Sequence, residues 1–308
     1  MQKLLVICGP TATGKTSLGI NLARKFNGEI VSADSRQVYI GMDIGTGKEW
    51  GEGVKIWGYD LVEPKKEYSV SKYLKFAEKT IGEIESRKNL PIIVGGTGLY
   101  IKAVTGGIPT VNIPRNKNLR TSLEMKSASE LFETLASLDA TKAGNMNVSD
   151  KNNPRRLTRA IEVAQYLITK GASSVGGIKD KKGLRNQDIL FIGLESSKKV
   201  IDGKINKRVD ARVKDGIKDE IKALLKKGVD WHDQSMFSLG YRQWRDYFEG
   251  EVEEEKIIEE WKKEERKYAK RQMTWFKKEK EINWFDVGSG DFPNNVEKLV
   301  ERWHNQVK

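Results

Sequence analysis

The stretch "KLLVICGPTATGKTSLGINLARKF" constrains this chain more than any other. Lys3 to Cys8 is a short, largely apolar run of the kind a buried parallel strand carries. Gly9, Pro10, Thr11, Ala12, Thr13, Gly14, Lys15 and Thr16 then fit G-x-x-x-x-G-K-[ST], and Leu18, Leu22 and Phe26 follow near helical spacing. Strand, glycine loop and helix in that order make a phosphate cradle. Backbone N–H groups and the helix N-terminus face an anion, Lys15 neutralises charge, and Thr16 can reach a Mg²⁺ ion. The loop alone specifies a pyrophosphate-bearing ligand and leaves open whose pyrophosphate it is.

The pattern repeats downstream. "GEIVSADS" reads as a second strand ending at Asp34. "SVSKYLKFAEKTIGEIESRKN" opens with serine caps and repeats Tyr73, Phe76, Ala77, Ile81 and Ile84 at three and four residues, which predicts a helix. "LPIIVGGTGLYIKAV" is a third buried strand entering a glycine turn and a new helix, and "DILFIGLE" is a further strand. Strands alternating with helices predict an α/β fold: a P-loop NTPase-like parallel sheet flanked by helices. Asp34 and Thr97 then fall at the strand ends that face a ligand crevice, where Asp34 suits a general base. Taken singly, a cap or a tight turn explains each of them as well. Gly95 and Gly96 are expected to let backbone approach a ligand.

Charge divides the chain. The net charge is +12 over 308 residues. Residues 1–114 carry 15 basic and 11 acidic side chains, residues 115–185 carry 14 and 7, and residues 186–308 carry 26 and 25. Over half the surplus therefore lies in a middle segment that is polar, helix-prone and poor in strands, as an inserted nucleic-acid grip would be. The expected organisation is a core from 1–114 plus about 186–308, an inserted helical subdomain at about 115–150, and a basic helix and loop at 151–185 linking back to the core. In "NPRRLTRAIEVAQYLITKG" Pro154 starts a helix, and Arg155 and Arg159 at i and i+4 can share one face and clamp phosphates. "ASSVGGIKDKKG" reads as a basic loop. "KINKRVDARVKDG" carries Lys204, Lys207, Arg208 and Arg212, for which surface salt bridging is an equal reading. Gly240, Tyr241 and Arg242 offer a stacking ring and a cation, and Trp261, Tyr268 and Trp275 at seven-residue intervals read as a packing seam.

Several classes are disfavoured. No run of about 18 apolar residues exists to cross a membrane, no export signal is visible, and the cytoplasm is the expected location. The single Cys8 lies in an apolar run, and two distant histidines without cysteine partners argue against structural zinc.

In their order and approximate spacing, "GPTATGKT", "ADSRQVYIGMDIGTGK", "VGGTGLY", "NPRRLTRAIEV", "LGYRQW" and "KRQMTWF" resemble the tRNA dimethylallyltransferases. The resemblance runs from residue 3 to about 286. It implies transfer of a dimethylallyl group from dimethylallyl pyrophosphate to the exocyclic N6 of the adenosine 3′ of the tRNA anticodon, with Mg²⁺ as cofactor. It implies that Gly9 through Thr16 hold the donor pyrophosphate, with Thr16 on Mg²⁺ and Lys15 and Arg208 stabilising the leaving group. Asp34 would accept the N6 proton, and Thr97 would help place the base. The tRNA-contacting set it implies is Asp34, Ser35, Arg36, Gln37, Thr97, Arg120, Arg155, Arg156, Leu157, Thr158, Arg159, Phe237, Ser238, Leu239, Gly240, Tyr241 and Arg242. The implied partners are the tRNA anticodon stem-loop and the prenyl donor, with the chain a monomer. "NVSDKNNP" lacks a histidine common in the family, and "GTGKEW" stands where "GTAKP" is more usual. A small-molecule P-loop kinase and an adenylate isopentenyltransferase acting on free adenine nucleotides are the competing activities. A non-catalytic RNA-binding protein would leave the phosphate loop unexplained.

Overall fold

The computed structural model describes residues 2–51, 53–171 and 187–306. Contacts divide the chain into two compact units, one from residues 1–106 and 184–308 and one from residues 107–183.

The first unit is built on β1 (Lys3–Cys8), in which every residue after Lys3 is buried. A strand apolar on both faces must be covered on both, which selects the middle of a parallel sheet flanked by helices. Each Leu, Val or Ile so buried contributes about 1.5–3 kcal/mol. The remaining strands are β2 (Gly28–Ser32), β3 (Ile56–Trp57), β4 (Leu90–Gly95), β5 (Asp188–Glu195) and β6 (Ile282–Asp286). They pair in the order β3-β2-β4-β1-β5-β6, all parallel, with Leu5 opposite both Ile92 and Leu190. From β1 the chain first fills one side of the sheet with β2, β3 and β4 and then crosses to the other with β5 and β6, and such a switch in strand order opens a crevice at the strands' C-terminal ends. Cys8 is buried at that end, and burial pushes its thiol up to about 12.

Helices cover the sheet. α1 (Lys15–Lys25) buries Leu18 and Leu22 against Leu5, Ile7 and Ile30. α2 (Val70–Ser86) starts where the Ser69 side chain accepts from Lys72 N, and it buries Tyr73, Ala77, Ile81 and Ile84, the stripe its spacing predicts. α3 (Gly98–Thr105) follows β4 after two residues. The second unit comprises α4 (Lys117–Leu123), α5 (Ala128–Leu138), α6 (Ala140–Gly144), α7 (Val148–Lys151) and α8 (Pro154–Thr169). α5 begins with a reciprocal Ser127–Glu130 capping box, and α8 with the Asn153 cap followed by Pro154. Leu131, Leu135, Leu157 and Ile161 form its core. Helix α8, read from sequence as a link back to the core, therefore packs within this unit. The basic loop expected at 172–183 lies outside the described residues.

The chain returns through β5 to α9 (Lys198–Lys214), α10 (Ile217–Lys226), a 3-10 turn at Arg242–Trp244, α11 (Arg245–Phe248) and α12 (Glu254–Phe276). After β6, α13 (Phe292–Asn305) seats Val296, Val300 and Trp303 on the sheet. No described helix is long and apolar enough to cross a membrane.

Candidate active site

The phosphate loop keeps its shape through glycine and internal hydrogen bonds. Gly9 has φ 136°, and a Cβ there would stand 2.4 Å from Leu194 O. Gly14, at φ 81°, caps α1 without a side chain, so the first-turn N–H groups of that helix remain for an anion. Thr13 Oγ1 donates to Pro10 O at 2.9 Å, and Lys15 Nζ donates to the same carbonyl. Burial, seconded by the charge of Arg208, lowers the Lys15 ammonium to about 8, and Asp34 opposes that shift.

Helix α9 supplies more positive charge. Lys204, Arg208 and Arg212 recur at four-residue intervals and all line the crevice. Arg208 Nη1 donates to Thr11 Oγ1 at 2.8 Å. Arg212 is buried beside Glu265, its guanidinium lowered to about 10 by burial and then by Arg208. Both guanidinium groups close on Gly47, where a Cβ would lie 2.2 Å from Arg212 Nη2 and 2.5 Å from Arg208 Nη2. The loop holding Gly47 is fixed by Glu220 of α10, whose carboxylate accepts from Asp43 N (2.8 Å), Ile44 N (2.7 Å), Gly45 N (3.1 Å) and Tyr241 OH (2.5 Å).

Asp34 stands just past β2. Its Oδ1 accepts from Arg36 N at 2.8 Å, an Asx turn that orients the carboxylate. Ser35 N donates to Thr97 Oγ1 at 3.0 Å, and Thr97 also meets the Tyr268 hydroxyl, which burial and the charge of Asp34 push up. Gln37 bridges Ser32 Oγ (2.8 Å) and Gly47 O (3.1 Å), and Arg36 Nη1 donates to Gln234 O at 3.1 Å.

These groups line one cavity of about 470 Å³, with seven basic side chains and three carboxylates, Asp34, Glu49 and Glu265. A cation-rich site of this kind suits the stabilisation of charge that develops on a phosphate leaving group. Thr16 lines it with a hydroxyl on the same wall system as Asp34, an oxygen donor set that suits a hard divalent cation.

Of the residues named from sequence, the structure brings Thr11, Ala12, Gly14, Lys15, Thr16, Asp34, Ser35, Arg36, Gln37, Arg208, Phe237, Leu239 and Arg242 to this cavity. Several expectations need correction. Tyr241 is no stacking ring: it is fully buried, with its hydroxyl on Glu220. Ser238 and Gly240 are buried with it. Thr97, half-buried at the start of α3, accepts from Ser35 N beside Asp34. Gly95 and Gly96 do line the cavity with backbone, and they are also tight against protein, since a Cβ would strike Ala33 O at 2.3 Å or Gln272 Nε2 at 2.1 Å.

In the second unit Leu157 is core. Arg159 is committed to Glu162 (3.1 Å) and to the carbonyls of Thr110 (2.8 Å) and Ile113 (2.9 Å), and so does not form a free phosphate clamp with Arg155. Arg120 likewise grips Glu162 at 2.6 and 2.8 Å. Arg155 and Arg156 are exposed and Thr158 half-buried, with Arg156 paired to Asp150.

Sequence reading missed Glu220 and the polar residues of α12. Of the expected packing seam only Trp261 is fully buried, while Tyr268 lines the cavity and Trp275 is exposed. From the same helix Glu265 holds Arg212, Tyr268 meets Thr97 and Gln272 accepts from Thr11 N. A glutamate and a glutamine in the buried stripe of a helix are the signal that marks them.

Fold and site together define a P-loop-like α/β enzyme with an oriented carboxylate in the cavity beside its glycine loop. The family model for IPP transferase matches residues 37–279, and that for isopentenyl transferase matches residues 2–56. The chain is 40% identical over 293 residues to the tRNA dimethylallyltransferase of Staphylococcus epidermidis, covering 92% of this chain and 86% of that one. It is 38% identical over 306 residues to that of Carboxydothermus hydrogenoformans, covering 97% and 96%. A solved tRNA Δ2-isopentenylpyrophosphate transferase from S. epidermidis superposes with TM-score 0.70 at 35% identity over 98% of this chain and 99% of its own. A eukaryotic dimethylallyltransferase acting on tRNA superposes with TM-score 0.83 at 25% identity over 100% and 81%. The chain belongs to the IPP transferase family.

Proposed function

We propose that this chain transfers a dimethylallyl group from dimethylallyl pyrophosphate to the exocyclic N6 of the adenosine 3′ of the anticodon in tRNA, releasing pyrophosphate. The observation that carries the reading is one cavity lined both by the phosphate loop with Lys15 and Arg208 and by the oriented Asp34 carboxylate. The donor's pyrophosphate binds the first-turn N–H groups of α1 and the Lys15 and Arg208 cations. The allylic C–O bond breaks with its electron pair passing to the pyrophosphate oxygen, and a C–N bond forms to N6. Adenine N6 is weakly nucleophilic until that bond begins to form. Its proton is then acidic enough for an ordinary carboxylate, and Asp34 accepts it.

Thr16 would hold a Mg²⁺ ion, which when bound supplies neutralising charge to the pyrophosphate. The adenosine is extruded from the anticodon loop at a cost of a few kcal/mol, least for a single-stranded base. Phe237, Leu239 and Arg242 receive the tRNA at the cavity, and Arg155 and Arg156 contact phosphates from the second unit. Acting on tRNA, the enzyme works in the cytoplasm, as a monomer.

The test incubates the protein with labelled dimethylallyl pyrophosphate and either unmodified tRNA or AMP, with and without Mg²⁺. Label is expected in tRNA and only with Mg²⁺. Label in AMP alone, or in neither acceptor, overturns the reading.

A further inference from the structure

Helix α12 carries a glutamine where its buried stripe calls for an apolar residue. Ile257, Trp261, Glu265, Ala269, Gln272 and Phe276 recur at three- and four-residue spacing, and all are buried. Glu265 is explained by Arg212 and by the Trp261 indole. Gln272 instead joins two separate segments. Its Oε1 accepts from Thr11 N at 2.8 Å, and its Nε2 donates to Gly96 O at 2.9 Å. Only 6% of the residue is exposed, and position 96 has room for no side chain beside it.

The two segments belong to opposite halves of the reaction. Thr11 is in the phosphate loop, and its hydroxyl accepts from Arg208. Gly96 precedes Thr97, whose hydroxyl accepts from Ser35 N, and Ser35 follows Asp34. A short chain of contacts therefore runs from the donor loop through one side-chain amide to the base. Transfer needs the attacking nitrogen, the allylic carbon and the leaving oxygen in line, and a misplacement of about 1 Å can cost about 10²-fold in rate. An amide with its acceptor on one side and its donor on the other acts as a spacer of fixed length. A methionine fills the same volume and leaves Thr11 N–H and Gly96 C=O unpaired. An asparagine is shorter by about 1.5 Å and reaches one of the two.

We propose that Gln272 is a positioning residue that sets the separation between the donor loop and the acceptor base. The inference rests on the transfer reaction proposed above, and it is tested on the full chain with Gln272→Met and Gln272→Asn beside the wild type. In both variants kcat for prenyl transfer to tRNA is expected to fall about 30-fold or more, with the donor KM and the tRNA Kd within about threefold of wild type. A residue needed only for packing or for pairing a buried amide would lower Tm, and Gln272→Asn or Gln272→Met would act through stability alone. A kcat within about threefold of wild type, or a loss that appears only in KM or Tm, overturns the proposal. Hydrogen exchange reads the spacer without turnover. In Gln272→Met, protection is expected to drop at Thr11 and at Ser35 together, and a drop at Thr11 alone overturns the coupling. If the wild type itself transfers nothing to tRNA, the functional reading fails, and the exchange result still decides whether Gln272 links the two segments.

Discussion

Arg208 donates to the hydroxyl of Thr11 at 2.8 Å, joining helix α9 to the phosphate loop. In the proposed reaction that bond would hold the guanidinium beside the loop, where charge develops on the leaving group. Arg208→Ala is expected to lower the single-turnover transfer rate about 10²–10³-fold, the usual loss for one positioned donor. Arg208→Lys should recover only part of it, because a lysine lacks the fork that reaches Thr11 and the pyrophosphate together. Equal rates for lysine and arginine would assign Arg208 a role as bulk charge only.

The Asx turn at Asp34 makes a different prediction. Arg36 N holds one carboxylate oxygen, and the residue lines the cavity. Asp34→Asn preserves that turn and removes the proton acceptor. Transfer should fall about 10²–10⁴-fold while tRNA affinity, measured by filter binding, stays near wild type. A matching loss of affinity would make Asp34 a structural residue.

Lys15 ties donor binding to pH. Its ammonium is lowered to about 8, mainly by burial. Pyrophosphate binds the charged form, so affinity should fall as pH rises through about 8, by up to about tenfold per pH unit from this group. Comparison with Lys15→Met in calorimetric titrations separates this loss from the protonation of pyrophosphate itself. Stability runs the other way. The folded-state value lies below the ordinary 10.5, so between those two values the unfolded chain binds more protons and stability rises with pH. Parallel pH profiles for wild type and Lys15→Met would remove Lys15 from donor binding.

Two arginines four residues apart on α8 should behave unlike each other. Arg159 and Arg120 brace Glu162, whose side chain is 1% exposed. Burial pushes that carboxyl up, but the bonds from Arg120, Arg159 and Asn116 N outweigh it and hold it below the usual range. A depressed folded-state value contributes stability at neutral pH that is lost as pH falls through about 4 and below. Arg159→Ala should therefore destabilise by about 1–3 kcal/mol in thermal melts. Arg155 is exposed. Arg155→Ala should cost less stability than Arg159→Ala, weaken tRNA binding, and flatten its salt dependence by about one phosphate contact. The reverse pattern would exchange their roles.

The α/β alternation and the phosphate loop are legible because one short motif and two hydrophobic periods specify them locally. Lys15, Asp34 and Arg208 meet in one cavity because the resemblance carries their long-range order, not because spacing reveals it. Glu220 was invisible for that reason: it binds amides about 175 residues away along the chain. Tyr241 misled because an aromatic beside an arginine reads the same in a buried strut and a stacking platform. β3 and β6 were missed because they are short edge elements, two and five residues long, without a clear apolar period. Gln272 and Arg212 were readable in principle, each a polar residue at a core position of its helix.

Thr11 and Gln272 are 261 residues apart, and Thr11 and Arg208 are 197 apart. Synthesis proceeds from the N-terminus at about 5–20 residues per second. The phosphate loop therefore leaves the ribosome well before the helices that supply its counter-charge and its spacer. During that interval the nascent chain has a loop of the right sequence and no assembled pocket for an activated allylic donor. A translation product interrupted before α12 would carry the loop and Arg208 without Gln272, so the pocket proposed for the donor is complete only once the last fifth of the chain is being made.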